Sequence, residues 1–282
     1  MKLVRYSDGE MKKIGVLSED LSSVIDLSSI APAQDSMAAF LRGGSANLEN
    51  ASRMISEEVH IPLNKVTLLA PISDPQKILC IGQNYRDHCE EQNQPIPERV
   101  ILFAKYATAI SNPMGDILIP EVSDKIDYEA ELAVVIGTPG RNIPEEAAMT
   151  HVVGYMCAND VTARDIQKSD GQWTRGKSPD TFFPIGPYIV TTDEVEDPGN
   201  LDIILTLNNK VMQSSNTSNL IFKIPYLISY LSQTMTLMPG DILSTGTPGG
   251  VGVYRNPPVF LKSGDEVEVT IPGVGSLKNG VA

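Results

Sequence analysis

Several features that mark particular protein classes are missing from this sequence of 282 residues. It contains only three cysteines, Cys80, Cys89 and Cys157, and none of them forms a CxxC pair. An odd number of isolated cysteines argues against a disulfide framework and indicates a reducing compartment. The first residues contain no apolar stretch typical of a secretory signal, so we expect a cytoplasmic protein, with an organellar matrix as the alternative.

Basic residues and long apolar runs are also scarce. Asp and Glu number 35 against 22 Lys and Arg, which gives a net charge of −13 at pH 7. Nucleic-acid binding needs a basic face, and a membrane span needs ~20 consecutive apolar residues. We therefore expect neither a nucleic-acid partner nor a membrane anchor. A small anionic substrate is still compatible with this charge, because a local cluster of cations or a metal can reverse the field inside a pocket.

Turn residues and hydrophobic patterns divide the chain near residue 70. Residues 1–70 contain a hairpin signal at Asp8-Gly9, a third candidate strand at 22–27, and a helix-prone segment at 34–58 that is interrupted by adjacent glycines. Asp-Gly between two β-prone stretches is a strong hairpin signal. The pattern predicts a small amino-terminal α+β domain.

Residues 71–282 are dominated by short β-branched stretches between Gly, Pro and Asp. The candidate strands are "KILCIG", "ILFAKY", "DILIP", "AELAVVIG", "FPIGPYIVT", "LDIILTLNNKVMQ", "DILSTG" and "DEVEVTI". We expect a hairpin turn at Asn208-Asn209 and helices only near 84–93, 144–150 and 224–234. Many short strands with few helices predict a β-rich α+β fold built as a sandwich, roll or barrel.

The segment "IDYEAELAVVI" raises the first question of chemistry. It places Asp127, Glu129 and Glu131 two residues apart, so on a strand their side chains would share one face. A solvated strand face is one interpretation. The other is a site for Mg²⁺, Mn²⁺ or Ca²⁺, which prefer carboxylate oxygens. Asp160, at the end of another buried stretch, is the candidate third ligand, although it could instead cap the segment that follows.

Three further segments carry candidate catalytic groups. In "IGQNYRDHCEEQ", His88 and Glu91 would meet on one helix face, where the carboxylate orients the imidazole and raises its basicity. An exposed helix turn is the alternative. Lys177 follows the single tryptophan and would present a cation to a pocket, unless it is an ordinary surface lysine. The glycine-rich "DILSTGTPGGVGVY" lacks the Gly-Lys-Ser/Thr of nucleotide loops and predicts a turn whose N–H groups face an anion, with the Thr247 hydroxyl beside it.

Five of these segments, in this order, resemble the fumarylacetoacetate hydrolase family, and most closely its short-chain members that act on acylpyruvates and oxaloacetate. The segments are "GQNYRDHCEEQ", "DYEAELAVVIG", "GYMCANDVTARDIQ", "DGQWTRGKSPDTFFPIGP" and "PGDILSTGTPGGVG", and the resemblance spans residues 77 to about 270. It implies a mixed β-sandwich roll with a small amino-terminal cap domain. It also implies a homodimer, which is the usual assembly in the family.

The resemblance assigns roles to individual residues. It implies metal ligands at Glu129, Glu131 and Asp160, a catalytic dyad on a lid at His88 and Glu91, an active-site lysine at Lys177, and substrate contacts at Arg164, Gln167 and Thr247. Asp127 would lie behind the ligands or in solvent, and the cofactor would be Mg²⁺ or Mn²⁺.

The implied activity is metal-dependent hydrolysis of a C–C bond in a β-diketo or 2-oxo acid of the fumarylacetoacetate, fumarylpyruvate or acylpyruvate type. The dyad would activate water, and the metal and Lys177 would hold the enolate. The alternative at the same site is decarboxylation or keto–enol tautomerisation of oxaloacetate. A third interpretation, which is not enzymatic, is a fold that binds a metal ion without catalysing a reaction.

Overall fold

The structure is a computed structural model that describes residues 1–31, 35–57 and 59–282. The predicted hairpin at Asp8-Gly9 and the third strand are confirmed. The helix-prone segment forms two helices, and its predicted limits, residues 34 and 58, lie outside the described residues. The elements of this part are β1 (Lys2–Ser7), β2 (Lys12–Leu17), β3 (Ser23–Asp26), α1 (Met37–Leu41), α2 (Gly44–Glu57), β4 (His60–Pro62), a 3₁₀ helix (Leu63–Lys65) and β5 (Thr67–Leu69).

The rest of the chain is rich in strands, as its composition predicts. Its strands are β6 (Ile78–Gly82), β7 (Ile101–Ala104), β8 (Ile110–Ser111), β9 (Ile126–Asp127), β10 (Ala130–Ile136), β11 (Val152–Asn159), β12 (Thr162–Ala163), β13 (Phe183–Thr191), β14 (Asp202–Leu207), β15 (Lys210–Asn216), β16 (Ile242–Ser244), β17 (Glu266–Ile271) and β18 (Gly275–Gly280). Its α-helices are α3 (Arg86–Glu91), α4 (Arg164–Asp170), α5 (Thr174–Lys177) and α6 (Ile224–Ser232). Its 3₁₀ helices are Ala107–Ala109, Glu145–His151, Thr192–Glu194, Thr217–Asn219 and Gly252–Tyr254. In the described part of the chain, no helix has the length and apolar character needed to cross a bilayer.

Among the described residues, the largest sheet has 12 strands, and its main path runs β4-β3-β2-β1-β13-β11-β10-β16-β6-β7. Strand β1 pairs antiparallel with β13 through Lys2 and Val190, so the amino-terminal strands extend the sheet of the remaining chain. The predicted boundary near residue 70 therefore joins two parts that share one sheet. The division into domains 1–70 and 71–282 stays a prediction.

A second sheet, with the order β15-β14-β17-β18, packs against β10 and β11 of the large sheet. Leu132 and Val134 of β10 join the apolar cluster that includes Leu205 of this second sheet. The alternate residues Ala133 and Val135 join a cluster on the other side of the large sheet. A continuous apolar run is typical of a strand that is covered on both faces. The predicted β-rich α+β class with packed sheets is confirmed.

Three predictions of local structure differ from the fold. The segment 116–120 is not a strand, because Ile117 makes a single bridge to Val281 and Pro120 has no N–H to continue the pairing. The helix expected near 144–150 is a 3₁₀ helix. Helices α4 and α5 were not predicted, since seven and four residues are too few to show a helical apolar period. The turn at Asn208-Asn209 is confirmed, with φ values of 51° and 64°.

Candidate active site

A cavity of about 240 Å³ lies where β6, β10, α3, α4 and α5 come together. Most of the predicted site residues line it, namely His88, Glu129, Glu131, Arg164, Gln167, Lys177 and Thr247. The two exceptions are Glu91, which contacts His88, and Asp160, which contacts Lys177. The fold therefore brings together all the residues that the sequence motifs singled out, although they are spread over 160 positions of the chain.

Strand pairing explains how three carboxylates converge. Strand β10 pairs antiparallel with β11, and Ala130 lies opposite Asn159. This register places Asp160, the residue after β11, beside Glu129, whose carbonyl accepts the Asp160 N–H at 2.9 Å. Each of Glu129, Glu131 and Asp160 is buried, and their ligand oxygens all lie within 4.8 Å of one another.

Asp127 does not belong to this group, although the period of a strand predicted that it would share the face. The strand is interrupted after Asp127, because β9 pairs with β12 and not with the partners of β10. The Asp127 carboxylate is buried and binds the Arg164 Nε at 2.7 Å. The expectation that Asp127 could be solvated is therefore wrong, because its carboxylate is a buried partner of Arg164.

Two buried lysines and the largely buried Arg164 contact two of the acidic groups. The Lys177 Nζ lies 2.6 Å from Glu129 and 2.7 Å from Asp160. Arg164 lies 2.6 Å from Glu129, and Lys105 lies 2.5 Å from Asp160. These pairs offset much of the cost of burying so many charges in one place.

The two glutamates respond to this environment in opposite ways. Burial alone would raise the pKa of Glu129, but Lys177 and Arg164 outweigh it and lower that pKa to about 2. Glu131 has no cation partner in the described part of the chain; its carboxylate accepts hydrogen bonds from the Ser244 hydroxyl and the Gly246 N–H. Burial, followed by repulsion from Asp160 and Glu129, raises the pKa of Glu131 well above its usual range.

This donor set fits a hard divalent cation. Carboxylate oxygens without sulfur or imidazole suit Mg²⁺ or Mn²⁺. A carboxylate offers about four lone-pair sites, so the lysine contacts to Glu129 and Asp160 leave acceptors for an ion. Glu131, which is crowded by like charges and lacks a cation partner among the described residues, is the group that a bound ion would relieve most.

The predicted dyad forms on α3. The His88 Nδ1 lies 2.6 Å from a carboxylate oxygen of Glu91, and the imidazole lines the cavity. The other Glu91 oxygen accepts the Gly250 N–H at 2.7 Å, so the carboxylate is fixed from both sides. His88 is only 6% exposed. A histidine oriented in this way can accept a proton from a ligand in the cavity.

The glycine-rich segment 246–253 donates its backbone N–H groups to carboxylates, but these belong to the protein itself. Gly249 and Gly250 donate to Asp87 and Glu91 of α3. Gly252 and the following residue donate to Asp127. The prediction that N–H groups of this turn face anions is therefore correct. The anions are carboxylates of the protein, on Asp87, Glu91 and Asp127.

Two contributors were missed by the sequence interpretation. Lys105 was assigned only to a strand, and its sequence context gave no signal of burial, because lysine is rarely buried unless it is paired. Gln213 holds the cavity wall, since its amide donates to the Thr247 hydroxyl and to the Pro248 carbonyl, both at 2.8 Å. Thr247 is thus oriented towards the cavity by a residue from β15.

Comparison with known proteins agrees with the fold. Residues 77–282 match the family model described as fumarylacetoacetate hydrolase, C-terminal. The chain is 47% identical to the mitochondrial oxaloacetate tautomerase fahd2 of Xenopus laevis, over the whole chain and 90% of that relative.

Two solved structures of the same fold were also found. The fumarylacetoacetate hydrolase of Exiguobacterium antarcticum superposes with a TM-score of 0.88 at 36% identity, and all of this chain matches 99% of that one. The maleylpyruvate hydrolase of Sphingobium sp. SYK-6, in complex with manganese(II) and pyruvate, gives a TM-score of 0.84 at 31% identity, with the same coverage. The chain belongs to the fumarylacetoacetate hydrolase family.

Proposed function

We propose that this enzyme interconverts the keto and enol forms of oxaloacetate. One observation carries the proposal: the full-length relatives named oxaloacetate tautomerase are 44–47% identical to this chain. The hydrolases of known structure described above are only 31–36% identical. The resemblance gave hydrolysis first and tautomerisation as the alternative, and these identities favour the alternative.

The reaction moves one proton between C3 and the oxygen on C2. His88, oriented by Glu91, accepts the proton when the C3–H bond breaks and a C2–C3 double bond forms. The imidazolium then returns a proton to the C2 oxygen, so the histidine ends neutral and no water is consumed. The enolate carries negative charge on its oxygen between these two steps, and positive charge placed there lowers the barrier.

Lys177 supplies part of that positive charge. Burial alone would lower its pKa, but Asp160 and Glu129 outweigh burial and raise it to about 12, so the side chain is an ammonium at neutral pH. Its Nζ lies between two of the carboxylates that we propose as metal ligands. Arg164, Gln167 and Thr247 line the same cavity and are proposed to contact the substrate.

We propose that Glu129, Glu131 and Asp160 hold Mg²⁺ or Mn²⁺. The ion would act as a Lewis acid towards the oxygens of a bound 2-oxo acid. The buried carboxylates and the related structure with manganese(II) and pyruvate support this assignment. Hydrolysis of an acylpyruvate could use the same groups if His88 acted on a water, so the two activities must be separated by experiment.

The test follows oxaloacetate and acylpyruvates side by side with saturating Mn²⁺. We expect rapid loss of the enol absorbance of oxaloacetate, without CO₂ release, and little C–C cleavage of acetylpyruvate or fumarylpyruvate. Acylpyruvate cleavage that is faster than tautomerisation would restore hydrolysis as the main activity. Stoichiometric CO₂ release would indicate a decarboxylase.

Metal binding can be measured without any turnover. At an ion concentration of about 100 times Kd, binding stabilises the native state by about 2.7 kcal/mol. For a chain of this size that corresponds to a rise in Tm of roughly 5 °C. We expect Mn²⁺ to cause this rise in the wild type and Glu131→Gln to lose most of it. The variant should still fold, because it removes one of three clustered carboxylates and so relieves their repulsion, and because glutamine has nearly the same shape as glutamate.

A matched control for the thermal shift is Glu10→Gln, which removes one carboxylate from an exposed turn. This variant should keep the full response to Mn²⁺. An equal response in Glu131→Gln would exclude Glu131 as a ligand.

Assembly and location also remain proposals. We propose a homodimer, as the family resemblance implies, and light scattering should give twice the chain mass. A mass equal to one chain would contradict it. The amphibian relative is named as mitochondrial, whereas the cysteine content of this chain favours a reducing compartment such as the cytoplasm.

A further inference from the structure

Lys168 lines the cavity but takes no part in the chemistry described above. It lies on α4, four residues after Arg164, and its side chain is exposed. Residues four apart on a helix lie on the same face, about one turn or ~5.4 Å apart along the axis. Arg164 contacts Glu129 deep in the site, so Lys168 is the next cation on the way out of the cavity.

The other cations near the cavity already contact carboxylates of the protein. Arg164 is paired with Asp127 and Glu129, and Lys177 is paired with Glu129 and Asp160. Lys105 is paired with Asp160. Lys168, in contrast, has no acidic partner within 4.0 Å among the described residues. It is therefore the cavity cation that is available to an incoming anion.

The remaining wall of the outer cavity carries no charge of its own. The Gln92 side-chain oxygen accepts hydrogen bonds from the Gln83 amide at 3.2 Å and from the Tyr254 hydroxyl at 3.3 Å. On another side, Phe103 and Trp173 pack edge to face with ring centres 5.4 Å apart. These neutral groups can surround any short ligand, but they do not select a charged end over an uncharged one.

We propose that Lys168 binds the distal carboxylate of the substrate, so that the site selects four-carbon 2-oxo dicarboxylic acids over 2-oxo acids with an uncharged tail. This inference rests on the proposed function and names its specificity determinant. The terminal carbons of such an acid are about 4 Å apart, given C–C bonds of ~1.5 Å. That span is comparable with the one-turn separation of Arg164 and Lys168. An exposed cation on a protein of net charge −13 also attracts a dianion to this opening.

The test compares Lys168→Met with wild type on two substrates that enolise in the same way. For oxaloacetate, which has two carboxylates, we expect KM to rise about two- to fivefold, as for loss of an exposed ion pair. The kcat should change less than about twofold, because the distal carboxylate is remote from the reacting atoms. For acetylpyruvate, which has one carboxylate, both constants should stay unchanged. Lys168→Arg should restore most of the affinity for oxaloacetate.

The matched control is Lys210→Met, which removes an exposed lysine from the hairpin between β14 and β15. It should leave both substrates unaffected, which separates a local contact from the change in net charge. An increase in KM that is equal for oxaloacetate and acetylpyruvate would overturn the assignment of Lys168, as would no increase for either.

A binding measurement keeps the inference testable if the proposed function fails. Malate has the distal carboxylate and lactate lacks it, and calorimetry with saturating Mn²⁺ gives the affinity of each without turnover. We expect Lys168→Met to weaken the binding of malate about two- to fivefold and to leave the binding of lactate unchanged. If the wild-type protein has no activity on oxaloacetate, only the tautomerase proposal is overturned. If Lys168→Met binds malate as tightly as the wild type does, only the assignment of Lys168 is overturned.

Discussion

Replacing His88 with asparagine is expected to slow the keto–enol conversion of oxaloacetate by about 10²–10⁴-fold, the usual loss when a positioned general base is removed. His88 lines the cavity, and its Nδ1 is held by Glu91 at 2.6 Å. Asparagine keeps a polar side chain but cannot carry a proton between C3 and the C2 oxygen. The rate is measured from the loss of enol absorbance with saturating Mn²⁺.

The control for this variant is His60→Asn, which changes an exposed histidine on β4 and should leave the rate unchanged. Measuring acetylpyruvate cleavage in the same variants separates the two roles of the dyad. If His88→Asn lost only acylpyruvate cleavage and kept tautomerisation, the histidine would be a base for water and not for the enolate proton. Full retention of both activities would exclude His88 from the site.

Replacing Lys177 with methionine is expected to reduce the same reaction by about 10²–10³-fold, comparable with removal of one donor to a developing oxyanion. Methionine retains most of the length and the apolar stem but removes the ammonium that contacts Glu129 and Asp160. The loss should fall mainly on kcat, because the charge on the enolate oxygen develops after binding.

Lys177→Met also disturbs the balance of charges, and this effect must be separated from catalysis. Breaking a buried ion pair from one side costs about 3–5 kcal/mol, so the metal-free variant should be markedly less stable in urea unfolding. The double variant Lys177→Met/Glu129→Gln removes one of the abandoned carboxylates and should recover part of that stability. It should not recover activity. Recovery of activity in the double variant would show that the lysine serves only to hold the fold.

Local motifs were enough to predict the acidic cluster and the dyad, because each pair of residues is close in sequence. Glu129 and Glu131 are two residues apart, and the side-chain period of a strand brings their carboxylates together. His88 and Glu91 are three apart, so a single helical turn brings them into contact. Both contacts are local: Glu129 directly precedes β10, which contains Glu131, and His88 and Glu91 both lie on α3.

The cationic half of the site was harder to predict, because its contacts depend on tertiary structure. Lys105 and Asp160 are 55 positions apart and meet only when the strands are assembled. Asp127 has the same spacing as the two glutamates, but the strand is interrupted between them, and the Asp127 side chain binds Arg164 instead of joining the cluster. The spacing of residues in the sequence does not indicate such an interruption. The acceptors of the glycine-rich segment could not be predicted from the sequence either, since a backbone N–H can donate to any acceptor that the fold brings near it.

The glycine-rich segment places an unusual constraint on how this protein can vary. Its N–H groups hold Asp87 and Glu91 of α3, the Asp127 that binds Arg164, and Glu131. Most side-chain substitutions leave a backbone donor in place, but the glycines of the segment are constrained for other reasons. Gly246 and Gly250 have φ values of 106° and 104°, which favour glycine. A Cβ at Gly252 would clash with the carbonyl oxygen of Val259. Inserting or deleting one residue would instead shift every donor against its acceptor. Both the length of this segment and its glycines are therefore constrained by the acceptors that its N–H groups bind.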